Sequence, residues 1–308
     1  MTRRHAFTFP GQGSQRPGML DMLPEVDGID RLLDAAEALS GLPLRRIASE
    51  GPTEDLSDTR AAQPLLYLAD WAWGSALLDA GLEPLAVAGH SLGELAALTV
   101  AGVFSVEAGL ELVVERSRLM AEAAGSTPGG MAAILGIPRA EIESTLAEIE
   151  GVWVANDNAP GQTVISGTPD ALDAADSLLT EAGARKVVRL AVSGPFHSPL
   201  MKPAADAFAE TLDGAQFSDA TIPVVQNAEP SPATDADTLR ARLALQIVSP
   251  VRWSETMEVL GSDGETLLVE AGPGTVLTGL AKRVDGVEGL AAEQVGSEKV
   301  AEEVFGDA

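Results

Sequence analysis

One stretch, residues 85–101, constrains the fold more than any other. An apolar run, Leu85-Ala86-Val87-Ala88, stops at Gly89, and helix-forming residues resume at Leu92. That succession reads as a buried strand turning sharply into a helix. At the turn lies Gly89-His90-Ser91-Leu92-Gly93, a G-x-S-x-G pattern whose glycines let the chain bend so tightly that the serine projects from the bend. The bare pattern recurs by chance, and it is the strand before it and the helix after it that give it meaning. The helix start also presents free backbone N–H groups and a positive dipole end, both favourable to a developing oxyanion.

Strand, glycine turn and helix recur elsewhere. Residues 6–9 are apolar and run into Pro10-Gly11-Gln12-Gly13; residues 266–270 pass through Gly272-Pro273-Gly274 into an apolar-rich segment, 276–284. Residues 61–82 read as a core helix with Gly81 as its stop. These outer parts of the chain therefore predict an α/β fold with a mostly parallel sheet. The segment 130–192 differs, because its elements are short and follow the order βαββαβ: strands at 131–135, 152–155, 163–166 and 186–192, helices at 139–149 and 169–182. That order predicts a ferredoxin-like module inserted in the larger domain. Residues 156–161 (NDNAPG) read as the connection between its central strands. Residues 229–237 read as an acidic, proline-rich surface loop, and those after Val284 as a weakly ordered acidic tail.

Composition narrows the chemistry. The 308 residues include no cysteine, which removes disulfides, thiolate metal sites and a cysteine nucleophile, and accords with a reducing cytoplasm. A formal charge of −26 opposes phosphate backbones and anionic membranes, so neither nucleic acid nor membrane is an expected partner. The most apolar window, 85–104, contains His90, Ser91 and Glu94 and is broken by glycines, a poor membrane span. Arg3 and Arg4 are not followed by the apolar segment of a signal peptide.

A serine hydroxyl is a weak nucleophile until a base takes its proton, and the chain holds only His5, His90 and His197. His5 precedes the first strand and reads as a surface residue. His90 adjoins the serine, but neighbouring side chains on a tight turn diverge, so it reads as a structural residue beneath the bend. His197 lies in Ser193-Gly194-Pro195-Phe196-His197-Ser198-Pro199, an irregular loop just after the inserted module, where a catalytic side chain is readily presented. The glycine-rich loop from Phe9 to Gln15 lacks the lysine of a P-loop and the spacing of a dinucleotide site. It suits a close backbone approach instead, with the Gln12 amide beside the bend as part of an oxyanion hole.

Five separated segments, FPGQGSQ (9–15), GHSLGE (89–94), ERSRLM (115–120), SGPFHSPLM (193–201) and QIVSPV (246–251), resemble those of malonyl-CoA:acyl carrier protein transacylases, in order and at the family's spacing. The resemblance runs from about residue 7 to residue 282. It implies an α/β-hydrolase-like core with a parallel sheet, residues 1–126 and 195–308, and an inserted ferredoxin-like subdomain, residues 127–194. It also implies Ser91 as the acyl-accepting nucleophile, His197 as its base, and the Gln246 main-chain carbonyl as the group orienting that base. Gln12 and the Leu92 N–H form the implied oxyanion hole, and Arg116 binds the free carboxylate of malonate, a task suited to a planar guanidinium fork. Phe196 and Leu92 resemble residues of malonyl-selective members.

The implied reaction is ping-pong transfer of malonyl from malonyl-CoA to the phosphopantetheine thiol of acyl carrier protein, by a cytoplasmic enzyme expected to be a monomer. No resident cofactor is implied, since coenzyme A is part of the substrate and phosphopantetheine is carried by the partner. Arg185, Lys186, Arg189 and Lys202 cluster in sequence around the insert and the His197 loop, and some of them are expected to line the carrier's docking face. Competing readings are a serine esterase or thioesterase, an acyltransferase serving a polyketide synthase or a malonate decarboxylase, and a non-catalytic carrier-binding protein.

Overall fold

The structure, a computed structural model, describes residues 2–306. Its strands are β1 (His5–Phe9), β2 (Val87–Gly89), β3 (Gly130–Leu135), β4 (Val152–Ala159), β5 (Gln162–Gly167), β6 (Lys186–Arg189), β7 (Val224–Val225), β8 (Thr266–Glu270) and β9 (Val287–Ala291). They form two sheets. One is five-stranded, in the order β7-β2-β1-β8-β9, and every pairing in it is parallel. Its central strand β1 is wholly buried, and successive residues face opposite apolar layers: Phe7 and Phe9 join one cluster, Ala6 the other. Helices cover both faces, as an all-parallel sheet requires. The helices Thr59–Asp79, Gly93–Val100 and Val106–Ser126 bury residues in the first layer, Trp253–Gly261 and Val276–Ala281 in the second.

The second sheet is antiparallel, in the order β4-β5-β3-β6, with the helices Arg139–Leu146 and Pro169–Glu181 closing a separate small core around Ile134, Ile142, Ile165 and Leu172. Numbered from its own first strand the order is 2-3-1-4, that of a ferredoxin-like βαββαβ unit. The chain is thus an α/β-hydrolase-like core with a ferredoxin-like insert. The second sheet is tied to the segment just before the helix Trp253–Gly261, where Asp157 N–H donates to the Val251 carbonyl and Val251 N–H to the Ala155 carbonyl. Among the described residues, no helix is long and apolar enough to cross a membrane.

Several expectations require correction. Residues after Val284 are not a loose tail. β9 pairs with β8, and the helix Ser297–Phe305 buries Val300 and Val304, one turn apart, in the main core. Just before it, Glu293 accepts the Gly274 N–H and pairs with Arg16, tying the chain's end to two loops of the site. Residues 156–159 are not part of a connection but extend β4, whose two irregularities in register accommodate the polar run; only Pro160 and Gly161 turn the chain. His5 is 3% exposed, being the first residue of the central strand. The loop at 229 ends early, since the Asp235 carboxylate caps the helix Ala236–Leu245 by accepting the Thr238 N–H.

Candidate active site

The site's loops after β1, β2 and β7 leave the C-terminal ends of parallel strands, where open α/β sheets bind their ligands, while the His197 loop follows β6 of the second sheet and Gln246 follows the helix Ala236–Leu245. β2 ends at Gly89 and the helix Gly93–Val100 begins four residues later. The two glycines are obligatory: a Cβ on Gly89 would lie 1.9 Å from the Gly93 carbonyl carbon, and one on Gly93 2.1 Å from the Phe9 oxygen. Ser91, at the apex, has φ of +52°, and His197 has φ of +56°; among the described residues no other non-glycine has a positive φ. Neither residue adopts that region readily, so both are held there by their surroundings.

The Ser91 hydroxyl lies 2.7 Å from His197 Nε2. On the far side of the ring, Nδ1 faces two main-chain carbonyls, Gln246 O at 3.1 Å and Ser249 O at 3.2 Å. Carbonyls only accept, so Nδ1 carries the proton and Nε2 presents its lone pair to the serine. Burial, and then the neighbouring Arg116 cation, push the His197 pKa down to about 3. The imidazole therefore rests neutral at physiological pH. Among the described residues no carboxylate bonds its Nδ1; the orienting groups are dipoles.

Arg116 is fully buried, in the middle of the helix Val106–Ser126. Its Nη1 donates to Gln63 Oε1 at 2.7 Å, and its Nη2 to Gln246 Oε1 at 2.8 Å and to the Ser91 hydroxyl oxygen at 3.2 Å. With a guanidinium N–H already donated to its oxygen, the serine directs its own proton to His197, and an alkoxide there would be stabilised by the cation. Burial lowers the Arg116 pKa to about 10, leaving it charged at neutral pH, and Nε has no acceptor among the described residues.

Behind these groups lies Glu94, wholly buried, whose carboxylate accepts the Asn227 N–H at 2.7 Å and Gln226 Nε2 at 3.1 Å. Burial pushes its pKa up to about 7 against the hydrogen bonds and the Arg116 charge that favour the anion. Asn227 itself bonds both sides of the bend, Oδ1 to the Ser91 N–H and Nδ2 to the Gly89 carbonyl.

A cavity of about 410 Å³ opens over Ser91. The core contributes Gln12, His90, Arg116, Met120 and His197 to its walls, and the insert Met131, Asn156, Asn158, Gln162 and Val164. Ser91, Arg116, His197 and Gln246 thus converge from four separate stretches of chain. Gln12 is placed differently from the reading of its side chain: that amide turns to the Ser57 carbonyl and the Thr59 hydroxyl, 3.4 Å from each. Its main-chain N–H and that of Leu92 have no acceptor among the described residues and are the donors left beside the bend. His90 is not simply beneath the turn; it lines the cavity, with Nε2 2.8 Å from Asn158 Oδ1. Sequence reasoning missed Asn227, Gln63, Glu94 and the Ser249 carbonyl. For Glu94 a signal existed, a charged residue inside an apolar helix; a lone asparagine after a two-residue strand gives none.

Comparison with known proteins places this geometry. The acyl transferase domain family matches residues 6–301. A malonyl CoA-acyl carrier protein transacylase of Synechocystis sp. is 43% identical over 279 residues, covering 90% of this chain and 92% of that protein. The structure of the malonyl CoA-acyl carrier protein transacylase from Coxiella burnetii superposes with a TM-score of 0.93 at 36% identity, over 100% of this chain and 99% of that one. A malonyl-transacylase solved in complex with its type II PKS acyl-carrier protein gives a TM-score of 0.91 at 38% identity, over 97% and 99% of the two chains. Identity of this extent along nearly the whole chain, with both sheets in the same arrangement, means that the protein belongs to the acyl transferase domain family and, within it, to the malonyl CoA-acyl carrier protein transacylases.

Proposed function

We propose that this acyltransferase moves a malonyl group from malonyl-CoA to the phosphopantetheine thiol of an acyl carrier protein, through a malonyl ester on Ser91. One observation carries the site assignment: the Ser91 hydroxyl lies within hydrogen-bond reach of both a neutral imidazole nitrogen and a buried guanidinium, at the floor of one cavity. In the first half-reaction the Ser91 oxygen attacks the thioester carbonyl carbon while its proton passes to His197 Nε2. The oxyanion forms beside the Leu92 and Gln12 N–H groups. Collapse breaks the C–S bond, and the proton on His197 leaves with the coenzyme A sulfur. The second half runs the same steps with the carrier's thiol as nucleophile and Ser91 as leaving group. Arg116, whose side chain lines the cavity, holds the malonyl carboxylate with its guanidinium.

These steps use side-chain and main-chain groups of this chain; coenzyme A arrives as part of the substrate and phosphopantetheine on the partner, so no resident cofactor enters. The proposal takes the core as residues 1–126 and 195–308 with 127–194 as the insert, and sets a monomeric enzyme in the cytoplasm, alongside a CoA thioester substrate. Of the four basic residues expected at the carrier's docking face, Arg189 and Lys202 are paired with Asp173 and Asp206, while Arg185 and Lys186 are exposed and in no ion pair among the described residues. Docking on this acidic protein falls to the latter two. Intact-mass spectrometry after mixing with malonyl-CoA tests the reading. A lasting malonyl adduct, absent from Ser91→Ala and discharged by holo-carrier protein, is expected; rapid loss of the adduct to water as free malonate would instead make the protein a thioesterase.

A further inference from the structure

β7 pairs with β2 for only two residues, Val87 with Val224 and Ala88 with Val225, and then both chains leave the ladder. The main-chain groups that come next on the β2 side are the Gly89 carbonyl and the Ser91 N–H. A longer neighbouring strand would satisfy them with its own peptides. Here the Asn227 carboxamide does so: Nδ2 donates to Gly89 O at 2.6 Å, and Oδ1 accepts the Ser91 N–H at 2.7 Å. The orientation of the amide is unambiguous, because a carbonyl only accepts and an N–H only donates. Asn227 is 1% exposed and is anchored from behind, its N–H donating to Glu94 Oε2 at 2.7 Å and its carbonyl accepting the Arg252 N–H at 3.2 Å. On the other side of the serine, Gln246 Nε2 donates to the Ser91 carbonyl at 2.9 Å. Both peptide groups of the nucleophile are therefore gripped by side chains from distant segments.

We propose that Asn227 is a positioning residue for acyl transfer, its carboxamide standing in for a missing strand so as to hold Ser91 at its positive φ with the hydroxyl aimed at His197. It also consumes the Ser91 N–H, leaving the Leu92 and Gln12 N–H groups to face the oxyanion. The side chain that does this must offer one donor and one acceptor at equal reach, which asparagine does at every pH and aspartate only when protonated. The effect falls on the rate of acylation at Ser91 and not on the affinity for the thioester, since Asn227 lies below the bend and does not line the cavity. The inference rests on Ser91 being the nucleophile.

The test compares Asn227→Ala and Asn227→Asp with the natural protein, as full chains. Three quantities are read: the rate of Ser91 malonylation at saturating malonyl-CoA, the KM for malonyl-CoA, and the rate of Ser91 labelling by an alkyl fluorophosphonate. Displacement of the nucleophile by an ångström is worth about 100-fold in rate, and Asn227→Ala is expected to lose that much with KM changed less than about threefold. Titratable and charged groups around the position are Glu94, whose own pKa is pushed up to about 7, Arg252 and Glu255, with the Arg116 cation and the neutral His197 imidazole across the bend. In Asn227→Asp an ionised carboxylate would face Glu94 and lack the donor for the Gly89 carbonyl. The rate of Asn227→Asp relative to the natural protein is therefore expected to recover by about tenfold or more between about pH 8 and about pH 5.5, as the carboxyl takes up its proton. Melting temperatures at each pH keep the assay below unfolding, and if Asn227→Ala does not fold, the Asn227→Asp series at the acid end decides alone. A rate within about threefold of natural for Asn227→Ala, a rise in KM in place of the rate loss, or a relative rate for Asn227→Asp that is flat with pH overturns the proposal. A natural protein that takes the fluorophosphonate label but transfers no malonyl refutes the functional reading and leaves the Asn227 comparison still legible.

Discussion

Around the five-stranded parallel sheet the polar residues of the site come from strand ends and from the covering helices, whereas the four-stranded antiparallel sheet delivers them along one bulged edge strand. At the parallel sheet, Gln63, Glu94, Arg116, Gln226, Asn227 and Gln246 are each at most 1% exposed, and they bond to one another or to the backbone of the bend. In the antiparallel sheet, Asn156, Asp157 and Asn158 are slightly more accessible and reach outward, Asn158 to His90 and Asp157 to Arg139. A buried network of this kind fixes positions because each side chain is held by at least one other member or by the backbone of the bend. An edge strand with local bulges fixes a surface but tolerates adjustment. The core thus holds the reacting atoms, and the insert shapes the space above them.

Substitutions can break or sharpen that distinction. The largest effect among them is expected from His197→Ala, which removes the base: acylation of Ser91 should fall on the order of 10³-fold, followed by quenched-flow mass spectrometry. A loss below about tenfold would mean that the serine is activated by Arg116 alone. Next is Arg116→Ala, assayed with malonyl-CoA and acetyl-CoA side by side. A charge-assisted contact to the free carboxylate should make the malonyl loss larger by about 30- to 100-fold, and equal losses would confine the guanidinium to its bond with Ser91. Smallest is Gln162→Ala, in the wall supplied by the insert. Its KM for malonyl-CoA should rise by less than about tenfold with kcat within about twofold, and a collapse of kcat would erase the difference between the two regions.

What the sequence disclosed divides along the same line. Ser91 was legible because a glycine-flanked serine between an apolar strand and a helix is a local pattern, and His197 because only three histidines were available. The inserted βαββαβ order was also legible, since each of its elements is short and bounded by glycine or proline. The roles of Asn227 and Gln63 were not, because each depends on what lies across the sheet and no spacing along the chain encodes that. The last strand and helix were hidden by composition: Glu288, Glu293 and Glu298 make the segment look solvated, and only the burial of Val300 and Val304 in the finished fold shows which face matters. The run Asn156-Asp157-Asn158 misled for a related reason, since residues that favour turns were placed on a bulged strand where Asn156 and Asn158 line the cavity and Asp157 pairs with Arg139.

The left-handed backbone of Ser91 and His197 carries a consequence for the intact molecule. Each residue sits in a region that costs an ordinary side chain about 1–2 kcal/mol, so the two together draw on a noticeable share of the roughly 5–15 kcal/mol by which a domain is stable. Neither conformation is self-supporting. As the protein is warmed or mildly denatured, these two positions are the first with something to gain by relaxing, and competence for transfer should fade while the spectroscopic signature of the fold is still intact.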